Sequence, residues 1–262
     1  MPITTRIPLR RLTQSEFGDI AYEVMRHIFS IHNEIGRFFD EKIYKQELAR
    51  RMAGVRLEEP IEVTFRTFRK PYFLDVLVAD GGIFELKAVE ALAGRHRAQL
   101  LNYLLLCDLA HGKLINVRPE VVEHEFVNTN WRYTDRLKFA VDHERWNASI
   151  PGAAMLCEFL TAFLHDVGAG LEIALYEEAA MYCFGGWEQI ERDVRVQISD
   201  HFVGEQRMRL IAPDVALKIT GFDDSLADFE SHARRLLCHT DLRAIAWVNI
   251  NMKCVTFTTL SK

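Results

Sequence analysis

Residues 72–87, YFLDVLVADGGIFELK, constrain this chain more than any other stretch. Two runs rich in Val, Ile, Leu and Phe flank Asp80-Gly81-Gly82, a pattern that encodes two strands joined by a glycine turn. Three charges sit inside this apolar setting: Asp75 in the first run, Glu85 and Lys87 in the second. A plain core hairpin has no use for them. Side chains alternate along a strand, so Glu85 and Lys87 share a face. A hairpin pairing about Gly81-Gly82 puts Asp75 on the neighbouring strand, and the spacing predicts two carboxylates and an ammonium at one spot.

Two acids supply oxygen ligands of the kind Mg²⁺ takes while it keeps several waters and binds phosphate. A bound divalent ion lowers the pKa of its water and stabilises charge building on the phosphate, and a nearby ammonium orients the nucleophile. The expected chemistry is metal-assisted phosphodiester hydrolysis. The competing reading of the same residues is a solvent-facing ion pair on two strands, which contributes little.

The rest of the sequence sets bounds. At 262 residues the chain can bury one large core or two modest ones. No run of about 18 apolar residues occurs, and MPITTRIPLRR lacks the apolar stretch of a secretory signal, so no membrane partner is expected. The cysteines, at 107, 157, 183, 238 and 254, show no C-x-x-C spacing and read as reduced thiols in a cytoplasmic protein. A net charge of −5 argues against a general nucleic-acid coat. Basic and acidic residues balance over 1–130, so the acidic excess lies in the remainder. Arg50-Arg51, Arg66 to Lys70 and Arg95 to Arg97 are candidate phosphate-facing clusters. Neither a Gly-rich phosphate loop nor a nucleophile elbow is present, which leaves a small-molecule enzyme without support.

Apolar positions at helical spacing predict a helix over 14–33, capped by Thr13 or Ser15 and broken by Gly36. A second helix is expected from Phe38 to Met52, with Glu41 and Tyr44 on one face, ended by Gly54. Strand 61–68, the hairpin, a helix from Leu92 to Leu109 and strands 112–117 and 121–127 follow, an α/β arrangement with a mixed sheet. On the 92–109 helix, His96, Gln99 and Tyr103 form a polar stripe. Gly36…Glu41-x-x-Tyr44, Asp75, Glu85-x-Lys87, His96-x-x-Gln99-x-x-x-Tyr103 and Gly112-Lys-Leu-Ile-Asn116 together resemble the GxxExxY family of PD-(D/E)xK nuclease-like proteins over residues 14–130. Phe38 stands where that family usually has glycine. The resemblance implies a restriction-endonuclease-like mixed sheet flanked by helices, a nuclease acting on nucleic acid, with DNA the first expectation, and Mg²⁺ or Mn²⁺ as cofactor. It implies Glu41 as a further acid near the metal, and Gln99 and Tyr103, with His96, as substrate contacts. Asp75, Glu85 and the carbonyl of Leu86 are the expected metal ligands, and Lys87 the residue orienting water. The alternative is a catalytically weak or inactive nuclease-fold scaffold that binds nucleic acid or protein.

The second half reads as a worn copy. A shift of 132 lays Gly36 on Gly168 and Tyr44 on Tyr176; a shift of 131 lays FELKAV (84–89) on VALKIT (215–220), and so Lys87 on Lys218. In these registers Glu41 meets Ile173 and Glu85 meets Ala216, so the copy lacks the acids a Mg²⁺ site requires. The expected organisation is a nuclease-like domain over 1–130, then 131–262 as a helical connector (residues 128–150) and a degenerate repeat. An intramolecular pseudo-dimer or a homo-oligomer is the expected assembly.

Overall fold

In the computed structural model, which describes residues 3–199 and 201–262, the chain divides into two units, Met1–Asp135 and Arg136–Lys262. The first runs β1 (Ile3–Thr5), α1 (Gln14–Ile35), α2 (Glu41–Arg51), β2 (Val55–Phe65), β3 (Phe68–Val78), β4 (Gly82–Lys87), α3 (Gly94–Leu106), β5 (His111–Asn116) and β6 (Glu123–Asn128). Its six strands lie in chain order, antiparallel except for the parallel pair β4–β5.

Thr13 begins α1 with a capping box: its hydroxyl accepts the Glu16 amide, and the Glu16 carboxylate accepts the Thr13 amide at 2.8 Å. Phe17, Ala21, Val24, Ile28 and Ile31 make the buried stripe that the 3.6-residue period requires. The helix stops at Gly36, whose φ of 77° and ψ of −158° suit glycine alone. Tyr44, fully buried on α2, donates its hydroxyl to the Gly36 carbonyl at 2.5 Å and ties the corner shut. Helix α2 starts at Glu41 rather than at Phe38, because Phe38 and Phe39 are exposed and Asp40 takes the extended N-cap position.

Strand β2 is longer than expected and begins at Val55. Glu58, at φ 49°, interrupts its alternation and hid the first half from a period-two reading. The β3–β4 hairpin closes at Val78↔Gly82, so its turn is Ala79-Asp80-Gly81, one step earlier than the glycine pair suggests. Ala79 and Asp80 both adopt positive φ. Gly81 is needed for close approach: a Cβ there would lie 1.9 Å from the Arg10 carbonyl oxygen, while the Arg10 amide donates to Asp80 O at 2.7 Å.

Val76, Val78, Phe84, Leu86 and Ile115 pack with Phe17, Val24, Ile28 and Tyr44 under α1 and α2. Alternation then sends Glu85 and Lys87 to the other face. Helix α3 covers that face: Gly112, register partner of Ile83, has Leu100 so close that a Cβ would meet it at 3.0 Å.

The second unit runs β7 (Ala140–Arg145), α5 (Ala153–Val167), α6 (Ile173–Cys183), α7 (Trp187–Ile190), β8 (Glu191–Ile198), β9 (His201–Ala212), β10 (Val215–Thr220), α8 (Leu226–Cys238), β11 (Ala244–Ile250) and β12 (Cys254–Ser261), after a single turn, α4 (Tyr133–Arg136). Strands β8 to β12 follow the order and senses of β2 to β6: two antiparallel pairs, the parallel pair β10–β11, then an antiparallel pair. The leading strand differs. Strand β1 pairs antiparallel with β2, whereas β7 pairs parallel with β12 at the opposite end. The expected helical connector over 128–150 is corrected accordingly: it holds little helix beyond α4, because Ala140 to Asp142 find ladder partners in Cys254 to Thr256.

Two local devices recur. The Tyr176 hydroxyl donates to the Gly168 carbonyl at 2.8 Å, as Tyr44 does to Gly36. Asn116 accepts the Val89 amide and donates to the Val89 carbonyl; Asn249 does the same with Phe222. Asn116 pairs with Lys87 across the parallel strands, and Asn249 with Thr220. This amide latch moves the strand register by two residues from the sequence alignment: Lys87 corresponds to Thr220, and Glu85 to Lys218.

Candidate active site

Strands β3 and β4 pair at Val76↔Phe84, Leu77↔Ile83 and Val78↔Gly82. One step further the register sets Asp75 opposite Glu85, and side chains take over from the ladder. The Leu86 amide donates to Asp75 Oδ2 at 3.2 Å. Glu85 has no exposed surface; its Oε1 accepts from Lys87 Nζ at 2.5 Å. Its Oε2 is buried with no hydrogen-bond partner. Lys87 Nζ also lies 3.7 Å from Asp75 Oδ2. Three charged groups from adjoining strands therefore meet, as the spacing requires.

Burial, and after it the neighbouring Asp75, push the Glu85 carboxyl up to about 8 against the pull of Lys87. Burial works against the Lys87 charge, but Glu85 and Asp75 outweigh it and hold its pKa above the ordinary value. Lys45, reaching in from α2, joins Asp75 Oδ1 at 3.1 Å and Glu41 Oε1 at 3.1 Å, and also contacts Glu58. Burial opposes its charge as well, and the three acids reverse that effect.

Glu41 thus connects to the Asp75–Glu85 pair through an ammonium rather than directly. Among the described residues no group of three or more His, Cys, Asp and Glu side chains is arranged to hold a metal ion. The donor set here is a pair of carboxylates, with the Leu86 backbone beside them. A divalent cation fits it on two counts. Glu85 Oε2 is an oxygen without a partner, and Glu41, Glu58, Asp75 and Glu85 outnumber Lys45 and Lys87 by two charges when all are ionised.

On α3, Gln99 Nε2 donates to the Tyr103 hydroxyl at 3.1 Å. Burial raises the Tyr103 pKa, the Gln99 bond opposes it, and Glu85 and Asp75 raise it further, which puts the phenol within electrostatic reach of the acids. The Tyr72 ring packs edge-on against it. His96 is a helix-start residue: its Nδ1 takes the Ala93 amide at 3.1 Å, and burial, then Arg95 and Lys87, hold its pKa below the ordinary imidazole value. The basic clusters are largely committed: Arg50 and Arg51 pair with Glu47, Arg51 also with Glu34, and Arg97 with Glu125. Lys45 and Glu58 belong to no motif of the sequence. The available signal was Lys45 one turn after Glu41 on the same helix face.

Residues 18–128 match the family model of the PD-(D/E)XK nuclease superfamily. The matched segment lies within the first unit and contains Glu41, Asp75, Glu85, Lys87, Gln99 and Tyr103. It points to a nuclease, and nucleases of this superfamily generally use divalent metals. Among solved structures the chain is similar in part to one described as "Crystal structure of SSO0001", at 16% identity and a TM-score of 0.29, covering 46% of this chain and 61% of that one. The similarity spans less than two thirds of that structure's length. A comparison with curated proteins returns no match. Among the described residues no helix is long and apolar enough to cross a membrane.

Proposed function

We propose that the first unit is a divalent-metal-dependent nuclease that hydrolyses phosphodiester bonds in DNA. The observation that carries this reading is the buried, unpartnered Glu85 Oε2 beside Asp75 on the adjoining strand. Asp75, Glu85 and the Leu86 carbonyl would hold Mg²⁺ or Mn²⁺, with Glu41 the next acid outward. The ion, when bound, supplies an acidified water and a counter-charge for the phosphate. Lys87, tied to Glu85, holds the attacking water in line. Gln99 and Tyr103, with His96 behind them at the start of α3, line the approach where the scissile strand is positioned.

The test is cleavage of labelled single- and double-stranded DNA and RNA in Mg²⁺ and in Mn²⁺. Asp75→Asn and Lys87→Ala are each expected to reduce cleavage to background while circular dichroism stays unchanged. Full cleavage by either variant would remove the assignment.

A second reading, a scaffold that retains the fold without turnover, is favoured by Lys45, whose ammonium already occupies Asp75 and Glu41. Metal titration of the parent and of Asp75→Asn separates the two: the nuclease binds Mg²⁺ or Mn²⁺ through Asp75, and the scaffold does not. For the second unit, the matched strand order, the repeated tyrosine–glycine tie and the repeated amide latch support a degenerate copy of the first. The free cysteines fit a cytoplasmic setting.

A further inference from the structure

The position in the second unit that corresponds to the Asp75–Glu85 site has not simply lost its acids. Three residues after the closing pair of the hairpin stand Glu85 and Lys218; a bulge in β9 then sets Met208 opposite Lys218, where Asp75 stands opposite Glu85, and Arg209 follows one place further along β9. The amide latch gives the same match for Glu85 and Lys218. One residue after the tied tyrosine stand Lys45 and Glu177. Lys45 bonds Asp75 at 3.1 Å, and Glu177 bonds Arg209 at 2.7 Å. An ion pair between the helix and the neighbouring strand thus recurs with both signs exchanged, one strand position along, and an ammonium stands in the place of Glu85.

These residues line a cleft of about 370 Å³ walled by Glu177, Glu191, Arg207, Arg209, Leu217 and Lys218. Its carboxylates are engaged: Glu177 by Arg209, and Glu191 by Arg207 at 2.8 Å and Arg209 at 4.0 Å. Arg209 is further fixed over the Trp187 ring, 4.7 Å from its centroid. The ammonium of Lys218, a half-buried residue, has neither a hydrogen bond nor an ion pair among the described residues. Three cations against two acids leave one positive charge, and it falls on the group without a partner. A pair of guanidiniums held in place beside a free ammonium is the recognition chemistry of a phosphate group.

We propose that this sign-reversed cleft binds a phosphate group without metal, through Lys218 with Arg207 and Arg209. The source is either a nucleic-acid backbone or free phosphate; only the first rests on the nuclease reading of the other unit. The test is run on the full chain in EDTA, where the acidic site of the first unit has no cation to attract phosphate. Inorganic phosphate is titrated by calorimetry, and a fluorescent single-stranded oligonucleotide by anisotropy. Lys218→Gln is expected to weaken phosphate binding at least tenfold, and Lys218→Arg to restore most of it, with circular dichroism unchanged for both. Competition between phosphate and oligonucleotide assigns the backbone as the source; phosphate binding without competition assigns free phosphate. Equal affinity in the parent and Lys218→Gln, or no phosphate binding by the parent, overturns the proposal. Loss of nuclease activity in the first unit leaves this outcome untouched.

Discussion

Replacing Glu85 by Gln isolates the electrostatic cost of building the site. In the folded chain the Glu85 carboxyl titrates near 8, against an ordinary value of 4.5. Between those limits the folded protein carries a proton that the unfolded chain has released. Stability is therefore greatest at acid pH, falls as pH rises through the window, and levels off above it. At roughly 1.4 kcal/mol per pH unit, the interval from 4.5 to 7 makes this carboxylate about 3 kcal/mol destabilising at neutral pH. Gln removes that term, and because the folded Glu85 carboxyl is itself protonated at pH 5, the amide there replaces one neutral acceptor of the Lys87 bond by another. The benefit therefore grows with pH. Glu85→Gln is expected to lie within about 1 kcal/mol of the parent at pH 5 and to be more stable by about 3 kcal/mol at pH 8. Equilibrium urea unfolding at pH 5, 6, 7 and 8 reads the difference directly. Adding MgCl₂ at pH 8 should stabilise the parent and leave the variant unchanged, since ligand stabilisation requires a site in the native state. A stability difference that is flat across this range, or that runs the other way, refutes the reasoning.

Tyr44→Phe leaves the Gly36 carbonyl without its side-chain donor and should lower unfolding stability by about 1–3 kcal/mol; Tyr176→Phe should do the same through Gly168. Gly81→Ala forces a methyl against the Arg10 carbonyl and should cost about 1–3 kcal/mol, visible as a lower Tm. Asn116→Leu removes both hydrogen bonds of the buried latch to Val89 and should cost roughly 2–4 kcal/mol by urea unfolding. Because the latch fixes the strand carrying Lys87, cleavage should fall with it.

The helices and the central hairpin were legible because their signals are local. Thr13 and Glu16 cap, Gly36 stops, and alternation puts Glu85 and Lys87 on one face. Less local features were not. Glu58 leaves the strand conformation at φ 49°, which removes the alternation that would have announced β2 from Val55. Phe38 and Phe39 read as helix in an apolar count, yet they are exposed outside it. β7 carries few buried side chains and exists because β12 offers it a ladder, a relation between segments more than a hundred residues apart. Asp75, Glu85 and Lys87 can be named from spacing, whereas Lys45 is brought to Asp75 by the packing of α2, which no local pattern encodes. The charge exchange in the second unit was hidden for a related reason: the strand register there is set by the Asn249 side chain, and aligning letters put Lys218 opposite the wrong residue.

The contrasting attachment of β1 and β7 separates what is inherited in this architecture from what is optional. Five strands with three helices recur with their senses preserved, so the leading strand behaves as a removable accessory that takes whichever rim is available. Unit by unit, the rim without that accessory strand is then reversed: β6 in the first, and in the second β8, where Val196 and Gln197 already bond Thr240 and His239. A peptide that extends a sheet by strand addition would find its landing edge at opposite ends of the two otherwise matching frameworks.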